Sequence, residues 1–428
     1  MTPIETFSLI FLATILLLVS EIEHKVVVAL LAAVFSIYFG VSYGLYEIED
    51  VYHMMDMETV LFIVASLILF ESLNETGFFK FLSLLVFKKL RLKGLFVVYV
   101  LLAFATLFSG IAENTITMII MTEITLSIFT PRRVDPRATV AMEGVMSNVG
   151  GLLLPISSIP GLIVATRKNI GAEEFLVIDT PLIFILLGVT ILYYRLVLAR
   201  QEARIEELQV IVDDPWKAVE NKSVLARSLL IFSLFIVGVL VSDKLGFTPS
   251  YVAFFFVTLM FMFSGENPRR ILSKISWDVP FFVACFSIFV ESLDRAGVLA
   301  LVGSYLEPLI SASAFLGPFV LLLISGVFSS VIANVSVVLL LLPIVDRISS
   351  ISGLNPHPLY WSMIIGSNIG GGLTLYGSVP VLMAASLAEK EGHKISFGLY
   401  AKKVAPAVFL QLLVSDFYIL LLEILGVL

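Results

Sequence analysis

The sequence predicts an all-α integral membrane protein with two inverted-topology repeats, about ten transmembrane crossings, two re-entrant helical hairpins and two discontinuous helices. Three observations carry that expectation. The 428 residues are 59% hydrophobic and 14% charged, with a mean hydropathy of +1.02, whereas a soluble domain is about 45–50% apolar and about 25% charged. Apolar runs near the roughly 20 residues that a bilayer-crossing helix needs recur along the whole chain. Polar signatures of the first half also return in the second half at one constant offset. This composition excludes an ordinary cytoplasmic enzyme, a disordered chain and a disulfide scaffold, because the single Cys285 has no second thiol to pair with. A net charge of −7 argues against a nucleic-acid partner, which would favour a basic face.

The runs follow one another in a readable order. Single spans are expected at 4–20, 26–43, 58–76, 178–198, 225–242, 248–264, 278–294 and 404–426. The stretches 95–129 and 315–345 are too long for one ordinary span and are broken by polar or small residues near the middle, which suits hairpins that enter and turn back. Residues 138–166 and 358–388 carry central glycine and proline breaks, as crossing helices unwound at mid-membrane would. The first run has no basic residue before it and no small-residue cleavage site, so a removable signal peptide is not expected. Orientation follows the basic residues. Of 27 lysines and arginines, one side keeps only Arg167, Lys168, Lys244, Arg295 and Arg347, and the other receives the remaining 22. The rich side is cytoplasmic, which places both termini outside. The acidic segment 199–224 reads as a solvated cytoplasmic linker without chemistry.

The repeat is visible residue by residue. Glu71-Ser72-Leu73 returns as Glu291-Ser292-Leu293, and 291 − 71 = 220. At the same offset Gly77 maps to Gly297, Ser109 to Ser329, Asn114 to Asn334, Ser147-Asn148 to Ser367-Asn368, and Pro160 to Pro380. Residues 58–76 run inward and 278–294 run outward, so the repeats are inverted. That organisation is frequent in secondary transporters that bind substrate between the halves near the midplane.

Non-helical backbone survives at membrane depth only when buried in protein or lining a cavity, so the four breaks are the natural place for a site. The first hairpin tip, 109–115, contains Glu113, Asn114 and Thr115. A helix cap would explain Asn114 and Thr115 alone. A carboxylate at bilayer depth is costly and points to an ion pathway. With Ser147, Asn148 and Gly150 these residues form the candidate oxygen shell for a coupling cation or proton. The second tip, 329–335, has Ala333, Asn334 and Val335, so the hairpin is kept and the acid is lost. Ser157, Ser158, Asn334, Ser367, Asn368, Gly370, Gly371 and Ser378 are the substrate candidates, because half-helices that restart after Pro160 and Pro380 would aim free amides at the cavity. Glu143 is a further pathway acid or an interhelical partner. The chain has no His-Glu-x-x-His signature, no Walker loop and no nucleophile–base constellation, so neither an enzyme nor a metal site is expected.

The acid-Asn-Thr tip at 113–115, the Ser-Asn-(Val/Ile)-Gly-Gly stretches and the tail Ala388-Glu389-Lys390-Glu391-Gly392-His393-Lys394-Ile395-Ser396-Phe397 carry a resemblance. The chain resembles the ion transporter superfamily over nearly its whole length. The likeness is to the branch of arsenite permeases, sodium/proton-antiporter-like proteins and P-protein, which carries a citrate-transporter-like domain. It departs from that branch at Leu152–Gly161, where relatives commonly have a Thr-rich run ending in Pro-Pro-Asn, and at Ala333, where arsenite permeases usually have an acid. The resemblance implies a plasma-membrane homodimer that moves a small inorganic ion or metalloid oxyacid by an elevator-type mechanism, with no cofactor beyond bound Na+. Sodium-coupled uptake of an anion such as a dicarboxylate, or a passive channel, is the alternative. It further implies scaffold spans at 1–57 and 225–275 and transport parts at 58–198 and 276–428, joined by the linker 199–224.

Overall fold

The computed structural model describes residues 1–20, 22–90, 93–111, 114–199, 214–265, 267–313, 316–375 and 377–428. At 83, 86, 87, 89, 90, 115, 116 and 243–245 it describes the backbone only. Glu113 and most of the predicted linker lie outside the described residues. The first repeat comprises α1 (Pro3–Ser20), α2 (Lys25–Ser42), α3 (Val51–Met54), α4 (Met57–Glu75), α5 (Phe78–Leu90), α6 (Leu95–Ser109), α7 (Asn114–Phe129), α8 (Arg137–Gly150), α9 (Ile159–Lys168) and α10 (Ala172–Tyr193). The second comprises α11 (Lys222–Leu245), α12 (Pro249–Phe263), α13 (Pro268–Lys274), α14 (Asp278–Arg295), α15 (Val298–Ile310), α16 (Leu316–Ser329), α17 (Asn334–Ser352), α18 (Pro356–Gly370), α19 (Val379–Lys390), α20 (Phe397–Lys403) and α21 (Ala405–Ile424). No β-strand occurs among the described residues.

Helix starts from α5 and α15 to α9 and α19 keep the 220-residue offset to within one residue. The contacts obey the same symmetry. In each repeat the first hairpin arm packs on the first half of the broken helix, α6 on α8 and α16 on α18. The span before the hairpin crosses to the other repeat, α4 against α12 and α14 against α2. Local chemistry sets the joints. Gly77 and Gly297 adopt φ of +75° and +85° between α4 and α5 and between α14 and α15, a conformation that glycine enters without steric cost. Thr248, Asn267, Asn355 and Ser396 accept backbone amides at the starts of α12, α13, α18 and α20.

Seven helices among the described residues are long and apolar enough to cross a bilayer, and an eighth span arises if α13 and α14, bent by 57°, are joined. One of the seven, α17, is 19 residues long yet starts at a hairpin tip. Length alone therefore does not separate a span from a re-entrant arm. Replacing it with α12 and the two broken helices α8–α9 and α18–α19 accounts for the ten expected crossings. One detail is corrected. The half-helices start at Ile159 and Val379, one residue ahead of Pro160 and Pro380 rather than after them. Proline tolerates the first turn of a helix because the missing N–H has no intrahelical acceptor there. Helices α5 and α15 and the short α3, α13 and α20 were not expected from the hydropathy runs.

Every ion pair among the described residues joins groups that the lysine and arginine count assigns to one side. Arg167–Asp56 and Lys168–Asp346 are outside pairs, and Lys88–Asp214 and Arg137–Asp135 are inside pairs. Two of the pairs are related by the repeat with their charges exchanged. Arg270 meets Glu75 at 2.8 Å, and at positions shifted by 220 Asp50 meets Arg295 at 3.7 Å. In a Cys285→Ala background, Ser350→Cys should react with a membrane-impermeant thiol reagent from outside, and Glu391→Cys only after the membrane is opened. Reaction of both from one side of sealed cells would contradict the inverted arrangement.

Candidate functional site

The two broken helices meet through a reciprocal pair of hydrogen bonds. Asn148 Nδ2, near the end of α8, donates to Ser378 Oγ at 3.0 Å, just before α19. Asn368 Nδ2, near the end of α18, donates to Ser158 Oγ at 3.2 Å, just before α9. Each asparagine thus engages the serine that opens the other repeat's half-helix, and both bonds map onto one another at the 220-residue offset. All four side chains are buried. Each amide also presents a carbonyl oxygen, and neither Asn148 Oδ1 nor Asn368 Oδ1 has a hydrogen-bond partner among the described residues. Two buried, unpartnered oxygens on symmetry-related side chains suit a hard cation or a hydroxyl donor.

Small residues make this approach possible. A Cβ on Gly150 would stand 1.9 Å from the Thr106 carbonyl oxygen, and one on Gly370 would stand 2.2 Å from Gly326 Cα. Only glycine lets α8 and α18 lie this close to α6 and α16. A Cβ on Gly371 would meet Ser378 Cβ at 3.1 Å, a tight contact rather than an overlap. The hairpins are tied to the breaks by serines. Ser109 Oγ lies within reach of Asn114 Oδ1, of the Ser147 carbonyl at 2.8 Å and of Ser147 Oγ at 3.1 Å. In the second repeat Ser329 Oγ donates to the Ser367 carbonyl at 2.6 Å. Ser157 Oγ donates to the Gly110 carbonyl at 2.6 Å, which joins the first tip to the turn ahead of α9.

The predicted residues are not all equivalent. Glu113 is outside the described residues, and of Thr115 only the helical backbone is described. Asn334 Oδ1 accepts the amide of the next residue, Val335, at 2.9 Å, and does not reach the central pair. Ser158 caps α9 by accepting from the Gly161 amide, whereas Ser378 makes no cap to α19. The N-termini of α9 and α19 therefore both face the serine–asparagine cluster with their positive ends. Glu143 is fully buried on α8. Thr125 Oγ1 of α7 donates to one of its oxygens at 2.5 Å, and the other oxygen has no partner among the described residues. Glu123 pairs with Lys80 at 3.9 Å on an exposed face. A cavity of about 130 Å³ on the outer side runs between α4, α9 and α11 and reaches Pro155 and Ile156, beside Ser157.

Sequence reasoning did not single out several residues that hold the centre. Thr374 Oγ1 donates to the Ser330 carbonyl at 2.6 Å and accepts from Gly377 N. Tyr400 OH, on α20, donates to the Gly372 carbonyl at 2.6 Å. Gln411 of α21 reaches Thr190 at 2.7 Å. A lone threonine, tyrosine or glutamine in an apolar run carries no spacing signal, and nothing short of the fold could have found them.

Comparison with known proteins matches this architecture to a sequence family. The model of the family described as citrate transporter aligns with residues 15–366 and, in a second match, 312–424. The chain belongs to the citrate transporter family. It is thereby a membrane transporter of the ion transporter superfamily, and it crosses the membrane many times. Among its relatives, an uncharacterized transporter of Mycobacterium tuberculosis is 24% identical over 415 residues and aligned over 96% of both chains. The human P protein is 21% identical over 490 residues, covering 95% of this chain and 58% of its own. Among solved structures, the YdaH transporter of Alcanivorax borkumensis, reported to have an unusual topology, shares the fold. Its TM-score is 0.68 at 12% identity, over 94% of this chain and 99% of that one.

Removing either partner of a central pair strands a buried polar group, which costs about 1–3 kcal/mol. Asn148→Ala and Ser378→Ala should each lower the thermal stability of the purified protein. The double variant should cost less than both together by about 0.5–3 kcal/mol, the coupling of contacting residues. Strict additivity would mean that the bond contributes nothing.

Proposed function

We propose that the chain is a secondary active transporter that couples a cation or proton to the movement of a small inorganic ion or metalloid oxyacid, by alternating access of an elevator type. The observation that carries this reading is the pair of unpartnered amide oxygens, Asn148 Oδ1 and Asn368 Oδ1, at the junction of two half-helix N-termini. The groups that meet there are hydroxyls, amides and backbone, and none of the described ones is basic, which favours a small or weakly charged cargo. Glu113, the lone hairpin-tip acid, carries the coupling ion in this reading, with Asn114, Thr115, Ser147 and Asn148 completing the oxygen shell around Gly150. In this reading Ser157, Ser158, Asn334, Ser367, Asn368, Gly370, Gly371 and Ser378 serve the cargo. Spans in 1–57 and 225–275 form the static scaffold against which the parts in 58–198 and 276–428 move. The cross-repeat packing of α4 on α12 and of α14 on α2 supports a division along those faces. A second reading, sodium-coupled uptake of an anion such as a dicarboxylate, is favoured by the description of the family as citrate transporters.

Ion-driven flux in proteoliposomes against a panel of arsenite, phosphate, citrate and dicarboxylates separates the two readings. Uptake that never exceeds equilibration would support a passive channel instead. Glu113→Gln keeps the side-chain size and should leave folding intact while abolishing concentrative flux. Asn334→Ala should weaken substrate affinity with the coupling stoichiometry unchanged. If Glu113→Gln transports at the parental rate with the same dependence on pH and sodium, the coupling ion binds elsewhere, with Glu143 next in line.

The scaffold also supports a homodimer. Leu230, Leu234 and Val237 on α11 and Tyr251, Phe255 and Met262 on α12 are exposed in the single chain, an apolar wall for lipid or for a second copy. Cysteines at Leu234 and Phe255 should crosslink protomers in the membrane, and a cysteine at Ala333 should not. The reverse pattern would place the interface on the hairpin side.

A further inference from the structure

Asp179 lies in α10, seven residues after Ala172 and inside an apolar helix. It is fully buried, and neither of its carboxylate oxygens has a hydrogen-bond partner among the described residues. A carboxylate in such surroundings must hold a proton or bind a cation, because an isolated buried charge is very costly. A cation needs several oxygen ligands. Among the described residues no group of three or more His, Cys, Asp or Glu side chains gathers here, and the adjacent Ile178 carbonyl accepts from Tyr418 OH at 2.6 Å, which favours a proton over a metal ion.

A complementary group lies across one aromatic ring from it. Phe175, one turn earlier on the same face, packs edge-on against Trp361 of α18, with ring centroids 4.7 Å apart. The Trp361 indole Nε1 is buried and has no acceptor among the described residues. An acceptor without a donor and a donor without an acceptor thus flank one phenylalanine. Indole can only donate, and its bond to an ionised carboxylate is stronger than its bond to a neutral acid. We propose that Asp179 is a proton-binding site within the membrane, separate from the central serine–asparagine cluster, whose carboxylate is received by the Trp361 indole N–H when the proton leaves.

Few other titratable groups bear on it. Of those on the helices packed against α10, Tyr418 of α21 is the one that interacts electrostatically with Asp179. Asp416 and Glu423 of α21, Glu143 of α8 and Tyr360 of α18 carry no charge interaction with it, and the described charges of α11, Lys222 and Arg227, lie at its cytoplasmic start. Trp361 precedes Asn368 on α18 by seven residues, about two turns. Proton exchange at Asp179 in the first repeat therefore acts on the helix that presents Asn368 in the second. The inference holds whichever ion the centre carries.

The protein has three tryptophans, Trp216, Trp277 and Trp361. Trp216→Phe and Trp277→Phe isolate Trp361, and His357→Gln removes the imidazole one turn away. The full chain with these changes, reconstituted in liposomes, should show a single transition in Trp361 fluorescence with pH. That transition should be lost in Asp179→Asn and kept in Asp179→Glu. A transition that persists in Asp179→Asn, or its absence from the parent, would overturn the proposal. Should Asp179→Asn not fold, infrared pH-difference spectra serve in its place. The parental protonated-carboxyl band should titrate at a displaced midpoint in Trp361→Phe, and an unmoved midpoint would overturn the proposal equally.

Discussion

The middle of this protein depends on two hydrogen bonds, from Asn148 to Ser378 and from Asn368 to Ser158. Unwinding a helix at membrane depth strands amides and carbonyls that lipid cannot satisfy. Here each unwound crossing is completed by the other. Ser147 and Ser367 tie the breaks to the hairpins through Ser109 and Ser329, and Gly150 and Gly370 let the backbones close to that range. The remaining helices serve this centre. Helices α10 and α21 brace the broken helices from behind, and α4 and α14 carry the contact across to the opposite repeat.

Geometry is shared between the repeats and chemistry is not. Glu113, Thr115, Thr125 and Glu143 of the first repeat become Ala333, Val335, Val345 and Met363 at the same offset in the second. The acids and hydroxyls that could bind a driving ion are thus concentrated in one half of a symmetric frame. Under the transport cycle proposed above, the symmetric scaffold would give access to both faces and the single asymmetric site would set how many coupling ions move per cycle. The exchanged charges of Glu75–Arg270 and Arg295–Asp50 show the same pattern at the membrane surfaces, where position is kept and sign is reversed.

Much of the frame was legible in the sequence because its constraints leave spacing behind. Backbone that must approach backbone demands glycine, a restarting helix tolerates proline in its first turn, and the 220-residue offset repeats both. Hence the breaks at 147–161 and 367–380 were readable. The pairing of Asn148 with Ser378 was not, since two local motifs do not say which half each will face. Helices α5 and α15 leave no such mark, because segments of 13 residues are too short for a hydropathy window. Asp179 carries no such signal, because the apolar run starts at 178 and an acid beside its first residue looks like a terminus. The helix in fact begins at Ala172, which carries the acid two turns inside.

If the coupling ion binds at the first hairpin tip with Asn148 in its oxygen shell, its arrival must move charge partway across the membrane. Reconstituted protein on a solid-supported membrane, given a jump in sodium or in pH without a cargo gradient, should produce a transient current for one of the two ions. A folded Asn148→Ala/Asn368→Ala variant should lose that current. An unchanged current in the double variant would place ion binding away from the junction of the broken helices and contradict the role given to it here.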